Sequence, residues 1–102
     1  MQQVLHQDIA ALARCLLRVP FVDREAYAAR CIEVAAAGDI WRRETGQAHS
    51  LFGDGTLQSA CSGLPRAGER ALDDAEYANC WVVAIYAALE ARLAPCAGDT
   101  KW

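Results

Sequence analysis

Apolar residues recur with helical spacing in the first half of the chain. The first stripe predicts a helix over residues 3–19 and comprises Leu5, Ile9, Leu12, Ala13, Leu16 and Leu17. Pro20 ends it, because proline lacks the amide hydrogen that a helix interior needs. A second stripe predicts a helix over 23–45 and comprises Tyr27, Cys31, Val34, Ala35 and Trp41.

The ends and the middle of the second predicted helix carry recognisable signals. Asp23 suits the N-cap, and Gly46 suits the left-handed residue that follows a helix. Gly38 is the weak point, since glycine is a poor helix former. Asp39 and Arg43 stand four residues apart, which predicts an ion pair on a solvated helix face.

The second half of the chain contains a short and a long helical segment. Turn-forming residues dominate 46–55, and Thr56 can then cap a short helix over 57–61. Residues 66–72 lack a clear period and are predicted to form a loop. Asp73 and Glu76 have the spacing of a capping box before a long helix over 74–93.

That last helix is apolar on nearly every side between residues 80 and 89, so several neighbours must cover it. The first two helices can cover two sides. The third side must meet either the 46–65 segment or a second copy of the protein. We therefore predict interface residues at Trp81, Ile85 and Tyr86, and a homodimer is one expected form.

These patterns predict an all-α fold: a small irregular bundle of three long helices and one short helix, with a central loop at 46–56. The chain has 102 residues, of which 54% are hydrophobic, enough for one core. We expect a single domain over 1–95 and a flexible tail over 96–102.

Charge and hydropathy narrow the classes of partner. The net charge of −3, without a basic recognition helix, argues against a nucleic-acid-binding role. The longest uncharged run, 77–89, is too short to span a membrane. The first residues lack a basic start and an apolar run, so no secretory signal is expected and the predicted location is cytoplasmic.

The cysteines do not suggest a metal site. There are 5 of them, with no Cys-x-x-Cys pair and no matching histidine spacing. We expect reduced thiols that act as small apolar side chains, and we expect no cofactor.

The 41–57 segment is the only plausible site for chemistry. His49, Asp54 and Cys61 formally supply a base, an orienting carboxylate and a nucleophile, but no cysteine hydrolase signature accompanies them. The stronger interpretation is structural: His49 bonds the loop backbone, Asp54 forms an Asx turn, and Trp41 and Phe52 fasten the loop to the bundle.

A ligand-binding alternative uses the same segment. Glycine-rich turns before a helix can present backbone amides to an anion, and arginines lie nearby. The candidate residues for a phosphate or carboxylate are Arg42, Arg43, His49, Asp54, Gly55 and Thr56. The sequence lacks the Lys-Ser/Thr ending of a P-loop and the strand that precedes a dinucleotide-binding turn.

The run Thr-Gly-Gln-Ala-His-Ser-Leu-Phe-Gly-Asp-Gly-Thr-Leu at 45–57 resembles a loop found in small uncharacterised helical proteins of alphaproteobacteria related to Rhodobacter. The resemblance extends over most of the chain, and Thr56 replaces the usual serine. It implies a compact bacterial helical domain and assigns no substrate. The expected function is a non-enzymatic protein-interaction or regulatory module, with a small-ligand or anion-binding domain as the alternative.

Overall fold

The computed structural model describes residues 1–93, which form four α-helices. They are α1 (His6–Leu16), α2 (Arg24–Thr45), α3 (Leu57–Cys61) and α4 (Ala75–Leu93). A single 3₁₀ turn, Phe21–Asp23, precedes α2. The all-α fold with three long helices and one short helix is confirmed. The predicted tail, 96–102, lies outside the described residues.

Helix α1 begins at His6, three residues later than predicted. The Gln2 amide donates to the Gly55 carbonyl at 2.8 Å, which connects the segment before α1 to the central loop. Asp8 then fixes the start of α1: its Oδ2 accepts a hydrogen bond from the Leu5 amide at 2.7 Å. The helix ends at Leu16, before the predicted boundary at Pro20.

The prediction that the Asp23 side chain caps α2 was wrong. Asp23 lies in the 3₁₀ turn, and its side chain makes no capping hydrogen bond. The other end is as predicted, because Gly46 adopts a left-handed conformation with φ of 76° and its amide donates to the Arg42 carbonyl.

The buried stripe of α2 is rotated from the predicted one. Cys31 and Ala35 are buried as expected, whereas Trp41 is exposed. The observed stripe includes polar residues, and its members are Arg24, Ala28, Cys31, Ile32, Ala35, Gly38 and Asp39. Asp39 does pair with Arg43, at 3.1 Å, but Asp39 is only 7% exposed, so this helix face is not solvated there.

Helix α4 is capped by Asp74 and not by Asp73. The helix starts at Ala75, which puts Asp74 at the N-cap, where its Oδ1 accepts from the Tyr77 amide at 3.0 Å. The hydrogen bond to the Tyr77 amide lowers the pKa of Asp74 below its usual range. Glu76 is not part of a capping box, because its carboxylate binds Arg24 at 2.8 Å.

Arg24 joins three parts of the bundle from a nearly buried position. Its Nε donates to the carbonyls of Leu16, at 2.9 Å, and Val19, at 3.1 Å, at the end of α1 and in the turn that follows it. Its Nη2 reaches Glu76 on α4. With 4% of its surface exposed, this guanidinium depends on those partners.

Helix α4 packs against α1 and α2 through a narrow stripe that consists of Tyr77, Cys80, Ala84 and Ala88. Helix α3 packs against α1 and α2 at another place and, in the part of the chain that is described, its backbone does not approach that of α4. The backbone of α3 therefore does not cover α4, and within residues 1–93 the side of α4 opposite its buried stripe is exposed. That exposed side positions the candidate interaction surface.

Candidate functional site

The central loop lies directly on α2 because two glycines remove the side chains that would separate them. A Cβ on Gly38 would stand 2.6 Å from the Phe52 carbonyl oxygen. A Cβ on Gly55 would stand 2.6 Å from the Asp39 Cα, and Gly55 has a φ of +98° that favours glycine. Backbone thus meets backbone, and the predicted weak point of α2 is the place where the loop docks.

His49 holds the loop from within. Its Nδ1 accepts hydrogen bonds from the amides of Leu51, at 2.9 Å, and Phe52, at 3.0 Å. The imidazole stacks on Phe52 with ring centroids 4.2 Å apart and meets the edge of Trp41 at 4.9 Å. His49 and Gly53 also exchange backbone hydrogen bonds. Nδ1 is therefore used by the loop itself.

Asp54 and Thr56 organise the start of α3. Asp54 Oδ1 accepts from the Thr56 hydroxyl at 2.7 Å and from the Thr56 amide at 3.0 Å, which forms an Asx turn. These hydrogen bonds from Thr56, its hydroxyl first, lower the pKa of Asp54. Thr56 Oγ1 accepts from the Ser59 amide at 3.1 Å, so the predicted cap of α3 is confirmed.

The structure brings the six candidate anion-binding residues into one region, but protein carboxylates already bind many of their donors. Arg42 and Arg43 lie 3.6 and 3.1 Å from the Asp39 carboxylate. The Gln58 amide at the start of α3 donates to Asp8 Oδ1 at 2.9 Å. Arg42 Nε is buried without a hydrogen-bond partner among the described residues. The geometry favours a structural role for the loop.

The proposed base, carboxylate and nucleophile are not joined in the described chain. His49 bonds the loop backbone, Asp54 bonds Thr56, and the Cys61 side chain is fully buried where α3 meets α1 and α2. Hydrogen bonding with Cys15 and Cys31, together with burial, raises the pKa of the Cys61 thiol. A buried, protonated thiol is a poor nucleophile.

The four cysteines of the described residues are buried and free: Cys15, Cys31, Cys61 and Cys80. Burial also raises the pKa of Cys80. Within residues 1–93, no group of three or more histidine, cysteine or acidic side chains could hold a metal ion.

The open side of α4 carries the largest continuous set of exposed apolar side chains on one helix. We call it the α4 stripe; its members are Val82, Ile85, Tyr86, Leu89 and Leu93. They follow the i, i+3, i+4, i+7, i+11 spacing of one helix face, opposite the buried stripe. Ile85 is 48% exposed and Tyr86 60% exposed.

The predicted interface residues divide between two environments. Ile85 and Tyr86 belong to the α4 stripe, whereas Trp81 is half-buried, packs on the core and meets the Tyr77 ring edge-on at 6.3 Å. The sequence did not single out Val82, Leu89 and Leu93. Their helical spacing was visible, but a helix that is apolar all round does not show which side its neighbours cover.

Residues 1–93 therefore define a small all-α protein: a bundle of four helices in which one apolar face of α4 is exposed. The chain belongs to the domain-of-unknown-function family DUF7742, whose model matches residues 2–89. No curated protein and no solved structure matches the chain. Within residues 1–93, none of the helices has the length and apolar character to cross a membrane.

Proposed function

We propose that this DUF7742 protein is a non-enzymatic protein-interaction or regulatory module that binds its partner through the α4 stripe. The observation that carries the proposal is the exposure of five large apolar side chains on one face of α4. Together they offer on the order of 500 Å² of apolar surface, a size typical of functional patches on small proteins. Isolated exposed residues would carry no such meaning.

The chemistry of the other candidate region supports a non-enzymatic role. The central loop uses His49, Asp54 and Thr56 to hold its own backbone and the start of α3. The side chains of the α4 stripe, by contrast, are about half exposed or more, so they contribute little to the stability of the chain by itself. A cytoplasmic location and an alphaproteobacterial origin stay predictions from the sequence.

Photo-crosslinking in the source cells tests this proposal. A photoreactive phenylalanine analogue at Val82 should give discrete adducts, whereas the same analogue at Val22, which is exposed on the 3₁₀ turn, should not. An adduct of twice the chain mass would identify the predicted homodimer. Leu89→Ser should suppress the adducts from position 82 while the protein stays folded, because Leu89 is half exposed.

The comparison between positions 82 and 22 decides the result. Equal and diffuse labelling from both positions would show that the α4 stripe meets nothing specific, and the proposal would be wrong.

A further inference from the structure

The α4 stripe continues, through Tyr86, into a groove between α2 and α4. The groove has a volume of about 460 Å³. Its apolar floor includes Ala29 and Ile32 from α2 and Val83 and Ala87 from α4. Small side chains on the floor leave room for the backbone of a third helix to come close. A standard interface buries about 800 Å² on each partner, more than the stripe alone offers, so a partner on the stripe extends into this groove.

The edges of the groove are acidic. Glu25 and Glu33 lie on the α2 side, Glu90 lies on the α4 side, and no arginine or lysine is among the described residues that line it. None of these glutamates forms an ion pair within residues 1–93, although Asp39, Asp74 and Glu76 all do. Among residues 1–93, the rim is thus negative, exposed and without basic partners.

We propose that this groove binds an amphipathic segment of a partner protein whose apolar side chains cover the floor and whose lysines or arginines pair with Glu25, Glu33 and Glu90. The inference deepens the interaction function proposed above and rests on it. Glu25 and Glu33 are separated by eight residues, or about 12 Å along the helix. Basic side chains two helical turns apart on a bound helix match that distance.

The same charges disfavour a second copy as the occupant. An isologous pair presents the same surface from both chains, so the acidic rim of one copy would approach the acidic rim of the other. Like charges across a contact oppose association. A basic partner turns the same rim into a source of attraction and of specificity.

A binding titration with a synthetic probe tests the proposal. The probe is a fluorescent helical peptide of about four turns with leucine and alanine on one face and lysines at the flanks, spaced two turns apart. The matched probe carries glutamate at every lysine position. Fluorescence anisotropy with the purified protein, at low and at high salt, should show binding of the lysine peptide only, with affinity that falls as salt rises.

Two triple variants with the same change in net charge separate the groove from general electrostatics. Glu25→Gln/Glu33→Gln/Glu90→Gln should weaken binding of the lysine peptide at least about fivefold, since exposed ion pairs contribute modestly one by one. Glu44→Gln/Glu69→Gln/Asp73→Asn changes exposed acids elsewhere and should change the affinity less than about twofold. Ala29→Leu should also weaken binding, because it fills the floor.

Several outcomes would overturn the proposal. Equal losses in the two triple variants would show a net-charge effect without a site, and equal binding of the glutamate peptide would remove the role of the rim. Absence of binding at low salt would also refute it. Sedimentation that shows a dimer strengthened by the Glu25/Glu33/Glu90 variant would make a second copy the occupant. Specific crosslinks from position 82 without peptide binding would leave the interaction function standing and reject only this partner class.

Discussion

Gly38→Ala is a sharp test of how the central loop is held on α2. In an exposed helix interior, alanine is more favourable than glycine by about 1 kcal/mol, so helix propensity alone predicts a gain in the free energy of unfolding. The structure predicts the opposite sign. A Cβ at this position would lie 2.6 Å from the Phe52 carbonyl oxygen and 3.0 Å from that of Gly53, and both atoms belong to backbone.

The magnitude follows from what the new methyl group must displace. Hydrogen bonds between His49 and Gly53 hold the 49–53 turn together, and a hydrogen bond from the Gln2 amide to the Gly55 carbonyl fixes the chain that follows it. The turn therefore cannot move away from the new methyl group by itself. Overpacking of this kind costs about 1–3 kcal/mol. After subtraction of the propensity gain, we expect a net loss of up to about 2 kcal/mol in the free energy of unfolding.

Urea denaturation followed by circular dichroism measures this change, with two controls. Gly63→Ala should be close to neutral because its Cβ would meet nothing within 4 Å. Ala29→Gly, at an exposed position of α2, should destabilise by about 1 kcal/mol and so calibrates propensity in this helix. If Gly38→Ala stabilises the protein by the amount that Ala29→Gly removes, the loop does not press on Gly38 and our account of the loop is refuted.

Other consequences concern burial and charge. Arg24→Met should lower the free energy of unfolding by about 2–3 kcal/mol, since it removes the hydrogen bonds to the Leu16 and Val19 carbonyls and the ion pair with Glu76, while the exposed Arg30→Met should change it by less than about 0.5 kcal/mol; similar losses in both would contradict the buried hydrogen bonds. The lowered pKa of Asp54 adds stability that is present above the ordinary carboxyl pKa, about 4, and is lost as the pH falls through the lower folded value. Thermal melts between about pH 5 and pH 2 should therefore show a smaller acid-induced drop for Asp54→Asn than for the native chain, and identical drops would count against this contribution. The four buried thiols should resist iodoacetamide in the folded protein and react in urea, as peptide mass spectrometry would show; rapid native labelling of Cys61 would disprove its burial.

The local signals predicted the helices well, since periodicity, proline and glycine act within a few residues of the chain. Thr56 caps the start of α3, and Gly46 follows the end of α2, both as predicted. The prediction failed where a distant residue decided the outcome. Glu76 has capping-box spacing, but Arg24, 52 positions away, binds its carboxylate.

The candidate sites were harder to predict for the same reason. The sequence predicted that His49 bonds the loop backbone and that Asp54 forms an Asx turn, and both are confirmed, but it left a ligand-binding role for the same residues open. Gly38 looked like a defect in α2 because its contact with the loop is separated from it by fourteen residues along the chain. For α4, the composition predicted that the other helices leave one side uncovered, but it did not show which side.

The central claim is that the α4 stripe is covered when the protein works. Hydroxyl-radical footprinting compares the oxidation of Tyr86, which belongs to that stripe, with that of Trp41, which is exposed on α2 beside the central loop. We expect Tyr86 to be oxidised several-fold less inside the source cells than in the purified protein at low concentration, with Trp41 oxidised alike in both. Equal oxidation of Tyr86 in the cell and in the purified protein would contradict the claim.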